Sequence, residues 1–151
     1  MKITTPKGWN LEFKRTEEGW QSDRDLNGSD GISFTKNPCF IFPDCLYQEY
    51  SQGNDFENDL GQFIDFYLDN RYTILSQTKA AVNAITQHNH DFAADDEVNY
   101  IISYIEISYL KRYEFKINFV FMYGYAFYDI FYQVLSPEHF IINKVERLLN
   151  Y

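Results

Sequence analysis

The side chains of this 151-residue chain that could do chemistry are three histidines, two cysteines and twenty-two carboxylates. Their spacing assembles little of that chemistry locally. His88 and His90, separated by one residue, fall on one side of an extended backbone, with Asp91, Asp95, Asp96 and Glu97 close behind. Those donor types suit a divalent metal. Against a metal, no later histidine supplies a third imidazole, and exposed loops often gather His, Asn and Asp; the reading is no cofactor, with this loop the place where a metal stays an open alternative. Cys39 and Cys45 bracket Pro43 in NPCFIFPDC, a spacing that fits neither a CxxC redox site nor a zinc knuckle. They read as two reduced, largely buried thiols. The sequence holds no GxSxG, P-loop, GxGxxG or HExxH pattern. With so many acids available, no single carboxylate pair stands out as an acid and base, and the expectation is a protein that is not an enzyme.

Charge gives the stronger signal. The net charge is −9, and Lys and Arg are absent from Asn37 to Asn70 and again from Ala80 to Leu110. Direct nucleic-acid binding through phosphate neutralisation is therefore not expected. Two groups of carboxylates become the candidate partner-binding residues: Glu57, Asp59, Asp65 and Asp69 in the first base-free stretch, and Asp91, Asp95, Asp96 and Glu97 in the second. A rigid array of this kind attracts a basic protein surface and speeds the encounter.

These acids must be positioned by elements that the hydrophobic pattern outlines. Trp9, Leu11 and Phe13 alternate with polar residues, Trp20 follows a turn-like EEG, and Ile32 and Phe34 flank Ser33, so short strands are expected in the first forty residues. From Asn54 the period changes. Phe56, Leu60, Phe63, Ile64, Tyr67 and Leu68 recur at helical spacing, which predicts an amphipathic helix from a capping Asn54 to about Asn70, its outer face acidic. Short strand-like segments around Tyr72 and Ile74 and over Ala81 to Thr86 are expected to follow.

The last third is aromatic and β-branched. Glu97 to Leu110 predicts one strand, and Lys111-Arg112 a turn into a second. Ten of the twenty residues from Tyr113 to Tyr132 are aromatic, yet Phe115, Ile117, Phe119 and Phe121 alternate with Lys116 and Asn118, which is a half-buried strand rather than a membrane span. Beyond Gly124 the even positions Tyr128, Ile130, Tyr132 and Val134 become the apolar set. Ser136-Pro137 with Ile141, Val145, Leu148 and Leu149 predicts a closing helix. The expected fold is a single domain, 1–151, of the α+β class: an antiparallel sheet with one amphipathic helix after the N-terminal strands and a C-terminal helix packed on it. MKITTPKGWNLEF lacks the pattern of a secretory signal and no run of about 18 apolar residues occurs, so a cytoplasmic protein without membrane contact is expected.

With Lys7-Gly8-Trp9 near its start and Tyr125-Ala126-Phe127-Tyr128 before its last element, this layout resembles the PsbP-like and DcrB-like α/β/α sandwich. That resemblance implies an adaptor or chaperone for a secreted effector. In being small, acidic, aromatic-rich and without catalytic motif, the chain also resembles the immunity proteins of bacterial toxin systems, which implies neutralisation of a cognate toxin by direct binding. The immunity reading is preferred, with a basic-surfaced toxin such as a nuclease as partner. The adaptor and an acidic nucleic-acid-mimic inhibitor are the alternatives, and a homodimer is left open.

Overall fold

The computed structural model describes residues 1–22, 39–49, 55–86, 100–110, 113–121, 127–136 and 138–148. In chain order these form β1 (Lys2–Thr4), β2 (Asn10–Arg15), β3 (Trp20–Ser22), β4 (Cys39–Phe42), α1 (Asp44–Glu49), α2 (Asp55–Thr86), β5 (Tyr100–Tyr109), β6 (Glu114–Phe121), β7 (Phe127–Ser136) and β8 (His139–Leu148). The eight strands make one sheet whose spatial order equals their chain order. The alternation of Leu11 and Phe13 is realised in β2, where both are buried between exposed neighbours. The expected Ile32–Phe34 strand, the Lys111-Arg112 turn and the turn at Gly124 lie outside the described residues.

The class is α+β, but the sheet is mixed. Every neighbouring pair is antiparallel except β4 and β5, which run parallel with Ile41 opposite Glu106. The cause is the connection: between β4 and β5 the chain passes through both helices, and such a crossover returns it to the end from which it left, as parallel pairing requires. Two four-stranded antiparallel meanders, β1 to β4 and β5 to β8, thus meet along one parallel seam.

The long helix differs from expectation in extent. α2 runs 32 residues, about 48 Å at 1.5 Å per residue, and contains the segments around Ile74 and Ala81–Thr86 that were expected as strands. Its inward stripe continues without a break through Ile74, Thr78 and Val82, each fully buried and four residues apart. Asn70 does not stop the helix, because its side-chain amide donates to the Phe66 carbonyl within the helix at 2.8 Å.

The closing helix is absent, and its residues form β8 instead. Ile141, Val145 and Leu148 have helical spacing, but the strand ladder with β7 (Val134 opposite Phe140, Ile130 opposite Val145) satisfies the backbone and lets Phe140 reach the core. Phe140 packs edge-on against Phe66 and Tyr132. β8 borders the sheet, yet it carries a bulge opposite Phe131 and Tyr132 and the charged Lys144, Glu146 and Arg147. Such features blunt an edge and weigh against strand-to-strand pairing of two copies.

The core lies between α2 and one face of the sheet. All six apolar residues that predicted the helix, Phe56, Leu60, Phe63, Ile64, Tyr67 and Leu68, are buried. Phe63 has ring neighbours at 5.5 to 6.5 Å in Phe115, Tyr113, Phe66 and Phe40. Phe115 stacks on Tyr132 at 5.0 Å, whose hydroxyl lies 2.8 Å from Thr78 Oγ1 and 3.1 Å from the Ile74 carbonyl. Of the two cysteines only Cys39 is buried; Cys45 sits on the outer side of α1, while the inward place goes to Leu46. Among the described residues no helix is long and apolar enough to cross a membrane.

The buried phenols make stability sensitive to alkali. Burial pushes the Tyr67 and Tyr132 hydroxyls well above the ordinary tyrosine value of 10; the charge of Tyr132 adds to the effect at Tyr67, and the Thr78 hydrogen bond opposes it at Tyr132. A group whose pKa is raised by folding adds stability that is complete below its unfolded value and is lost as pH rises above it. Absorbance at 295 nm is therefore expected to show part of the tyrosine signal appearing only together with unfolding, above about pH 10. A single smooth titration of every tyrosine in the folded protein would contradict this packing.

Candidate functional site

The acids of the first base-free stretch do not act as one face. Glu57 is exposed and Asp59 half-buried, with Tyr113 close enough for Asp59 to raise its pKa after burial has done so. Asp69, half-exposed, is ion-paired with Lys7. Asp65 is buried, contrary to the expectation of an outward acid: its Oδ2 accepts the Lys7 backbone N–H at 3.0 Å, and its Oδ1 has no partner among the described residues. The reason is a second cover on the helix. The loop from β1 to β2 docks on the side of α2 where Gly61 gives it room; a Cβ there would sit 3.4 Å from both Pro6 and Thr5. A helical wheel drawn for one buried stripe does not anticipate this. Asp91, Asp95, Asp96 and Glu97, together with His88 and His90, lie outside the described residues. Among those described, no group of His, Cys, Asp and Glu is placed to hold a metal.

What remains outward at the start of α2 is Asp55 and Glu57, both exposed and without an ionic partner among the described residues. Between them Phe56 turns inward, and Tyr47 of α1 packs edge-on against it at 5.1 Å while staying 38% exposed. Tyr47 also touches Trp20 at 5.6 Å. Asp44, beside this surface, is paired with Arg15 at 2.9 Å.

A second polar group, not anticipated as a site, occupies the sheet face opposite α2. Strand register aligns two rows across the sheet: Cys39, Tyr104, Asn118, Asp129 and Glu146 in one, and Gln21, Ile41, Glu106, Lys116, Phe131 and Lys144 in the other. Lys116 lies at their centre. Its Nζ is 2.9 Å from Glu106 Oε2 and 3.5 Å from Asp129 Oδ2, and Asn118 Nδ2 donates to Asp129 Oδ1 at 2.9 Å. The ammonium also lies over the rings of Tyr104 and Phe131, each at 5.8 Å.

The ionisation states follow from these contacts. Burial disfavours the Lys116 ammonium, but the Glu106 hydrogen bond and the charges of Glu106 and Asp129 outweigh it, so its pKa lies above the ordinary lysine value. Tyr104 is raised by burial first and then by Asp129, with Lys116 opposing and Glu106 and Glu18 adding to the rise. Neither shift brings a group toward neutrality, where a general acid or base works best. The arrangement fits charge recognition better than proton transfer.

The alternation in the sequence sets Lys116 and Asn118 on the face opposite the apolar one. Missing was the register that sets Glu106, Lys116 and Asp129 side by side. A cleft of about 140 Å³ adjoins this cluster, lined by Glu18, Trp20, Ile41, Pro43 and Glu106 among others. Comparison with protein-family models, with curated proteins and with solved structures gave no match.

Proposed function

We propose that the chain is a protein-binding domain for a basic partner, acting as an immunity protein that neutralises a cognate toxin, such as a nuclease, by covering its cationic surface. The observation that carries this reading is the contiguous surface of Asp55, Glu57 and Tyr47, in which carboxylates without internal partners flank an exposed ring anchored on Phe56 and Trp20. Charges of this kind steer the encounter, and an aromatic ring held in place supplies contact area at low entropic cost. The net charge of −9 favours the same class of partner.

The adaptor reading needs a continuous apolar surface. The exposed large apolar side chains among the described residues are Tyr47, Tyr72, Ile85 and Leu135. Tyr72 and Ile85 are about 20 Å apart along α2, and Leu135 is on β7, so they do not favour a shared groove. An acidic inhibitor that mimics nucleic acid shares the charge argument and differs only in the partner's native ligand.

The test is growth of a bacterial host in which the neighbouring reading frame is induced with and without this chain. Arrest relieved by the chain supports immunity; a neighbour that is harmless alone removes it. With the toxin in hand, Asp55→Lys with Glu57→Lys is expected to slow association about tenfold at low salt and to flatten its salt dependence, with the melting temperature lowered by only a few degrees through the lost first-turn acids of α2. An unchanged association rate would take α2 out of the interface.

A further inference from the structure

We propose that the β1–β2 hairpin is a strap that opens from α2 as a unit, short of global unfolding, with Asp65 as its catch. Consecutive residues of α2 from Phe63 to Leu68 are all buried. A helix resting on a sheet alone keeps its outer side in water, so this stretch is covered from a second direction, and the hairpin supplies that cover on the flank of Gly61 and Asp65. Its turn is stiff. The Thr5 N–H donates to the Trp9 carbonyl at 2.8 Å, the Gly8 N–H to the Thr5 carbonyl at 2.9 Å and the Trp9 N–H to Thr5 Oγ1 at 3.1 Å, while Gly8 takes the φ of +94° that the reversal needs. Held in this form, the turn presents Lys7 to the helix: its backbone N–H donates to Asp65 Oδ2 at 3.0 Å, and its ammonium pairs with Asp69 one helical turn on.

The second observation is how little else ties the hairpin down. Among the described residues β2 meets β3 only from Phe13 to Arg15, and β3 meets β4 only at Trp20 and Gln21, whereas β7 pairs with β8 from Phe127 to Ser136 and with β6 from Phe127 to Gln133. The ion pairs at either end, Lys7 with Asp69 and Arg15 with Asp44, have exposed cations and contribute little. The hairpin therefore rests on the burial of Ile3, Leu11 and Phe13 and on the Asp65 hydrogen bond. Local units open at free energies that follow such differences in attachment. Once detached, the hairpin loses its own hydrogen bonds as well, since two strands alone are marginal in water. Opening uncovers the flank on which Glu57, Gly61, Asp65 and Asp69 stand one turn apart. On the reading of the chain as a binder of a basic protein, the closed strap withholds Asp65 from the surface that meets the partner; the opening itself does not depend on that reading.

The experiment is amide hydrogen exchange of the ¹⁵N-labelled protein, followed by NMR at the bonded amides of Thr5, Lys7 and Phe13 in the strap and of Phe115 and Ile117 in β6. The strap amides are expected to exchange at least about tenfold faster than those of β6. Ile130→Val, a loss of one methylene at a fully buried position of β7, separates the two events. It is expected to speed exchange in β6 about fivefold and to leave the strap amides unchanged, because the β7 core stays intact when the strap opens. Asp65→Ala takes away the acceptor of the Lys7 N–H and is expected to speed the strap amides severalfold. Strap amides that follow β6 under Ile130→Val exchange only through global unfolding, and that result overturns the proposal. Strap exchange unchanged in Asp65→Ala removes the carboxylate as the catch. Since no toxin enters the experiment, failed growth rescue leaves the strap standing, and a strap that does not open leaves the immunity reading untouched.

Discussion

Replacing Lys116 by methionine is expected to lower the unfolding free energy at pH 7 by about 2 kcal/mol, less than the loss of one member of a fully buried ion pair because Lys116 and Glu106 are half-buried. Methionine keeps the apolar stem between Tyr104 and Phe131, so the change isolates the charge. What it leaves behind is Asp129, whose side chain is 9% exposed, and Glu106, at 33%, facing each other without a cation. The two carboxylates then repel each other with no cation between them. Added salt weakens that repulsion, so the deficit of the variant is expected to shrink between low and high ionic strength, which urea titrations at both will show. A deficit independent of salt would mean that the lost energy is packing rather than charge.

Phe63→Ala is expected to cost about 3 to 5 kcal/mol, comparable with the whole stability of a marginal domain. Phe63 is fully buried and its ring meets four others from α2, β4 and the β5–β6 region, so the cavity would open where helix and both meanders join. The urea midpoint should fall in proportion, with the slope retained. Phe63→Leu, which keeps most of the volume, is expected to lose less than half as much. Equal losses for the two variants would show that the position demands an aromatic ring and not merely bulk.

How much of this was legible varied with the range over which the determining contacts act. The stripe from Phe56 to Leu68 named its helix because burial of one face writes its own period into the sequence. The alternation in β2, β6 and β7 was readable for the same reason. The second half of α2 was not, since Thr78 is polar by type and buried only because Tyr132 meets it across the core and the Ile74 carbonyl, one turn earlier in the helix, accepts its hydroxyl. β8 imitated a helix because Ile141, Val145 and Leu148 fall at helical spacing, and the decision belonged to β7, which offered a ladder. The same holds for the site. Glu57 could be placed from local pattern, whereas Asp65 was misplaced because a loop 58 residues earlier in the chain covers it. The Glu106, Lys116 and Asp129 cluster joins three strands, and no single segment contains its signal.

The parallel seam also bears on how the chain reaches this fold. Most strand pairs can form between close sequence neighbours, but Ile41 and Glu106 stand 65 residues apart and must meet with α1 and α2 already spanning the gap. Closing a loop of that length costs roughly 2 kcal/mol more entropy than closing a hairpin of about six residues. Each meander can nucleate by itself, and the joint between them is the high-contact-order event that sets the pace. Until it closes, β4 and β5 each present an unpaired edge, so crowding during synthesis would expose the molecule to mispairing at its middle rather than at its ends.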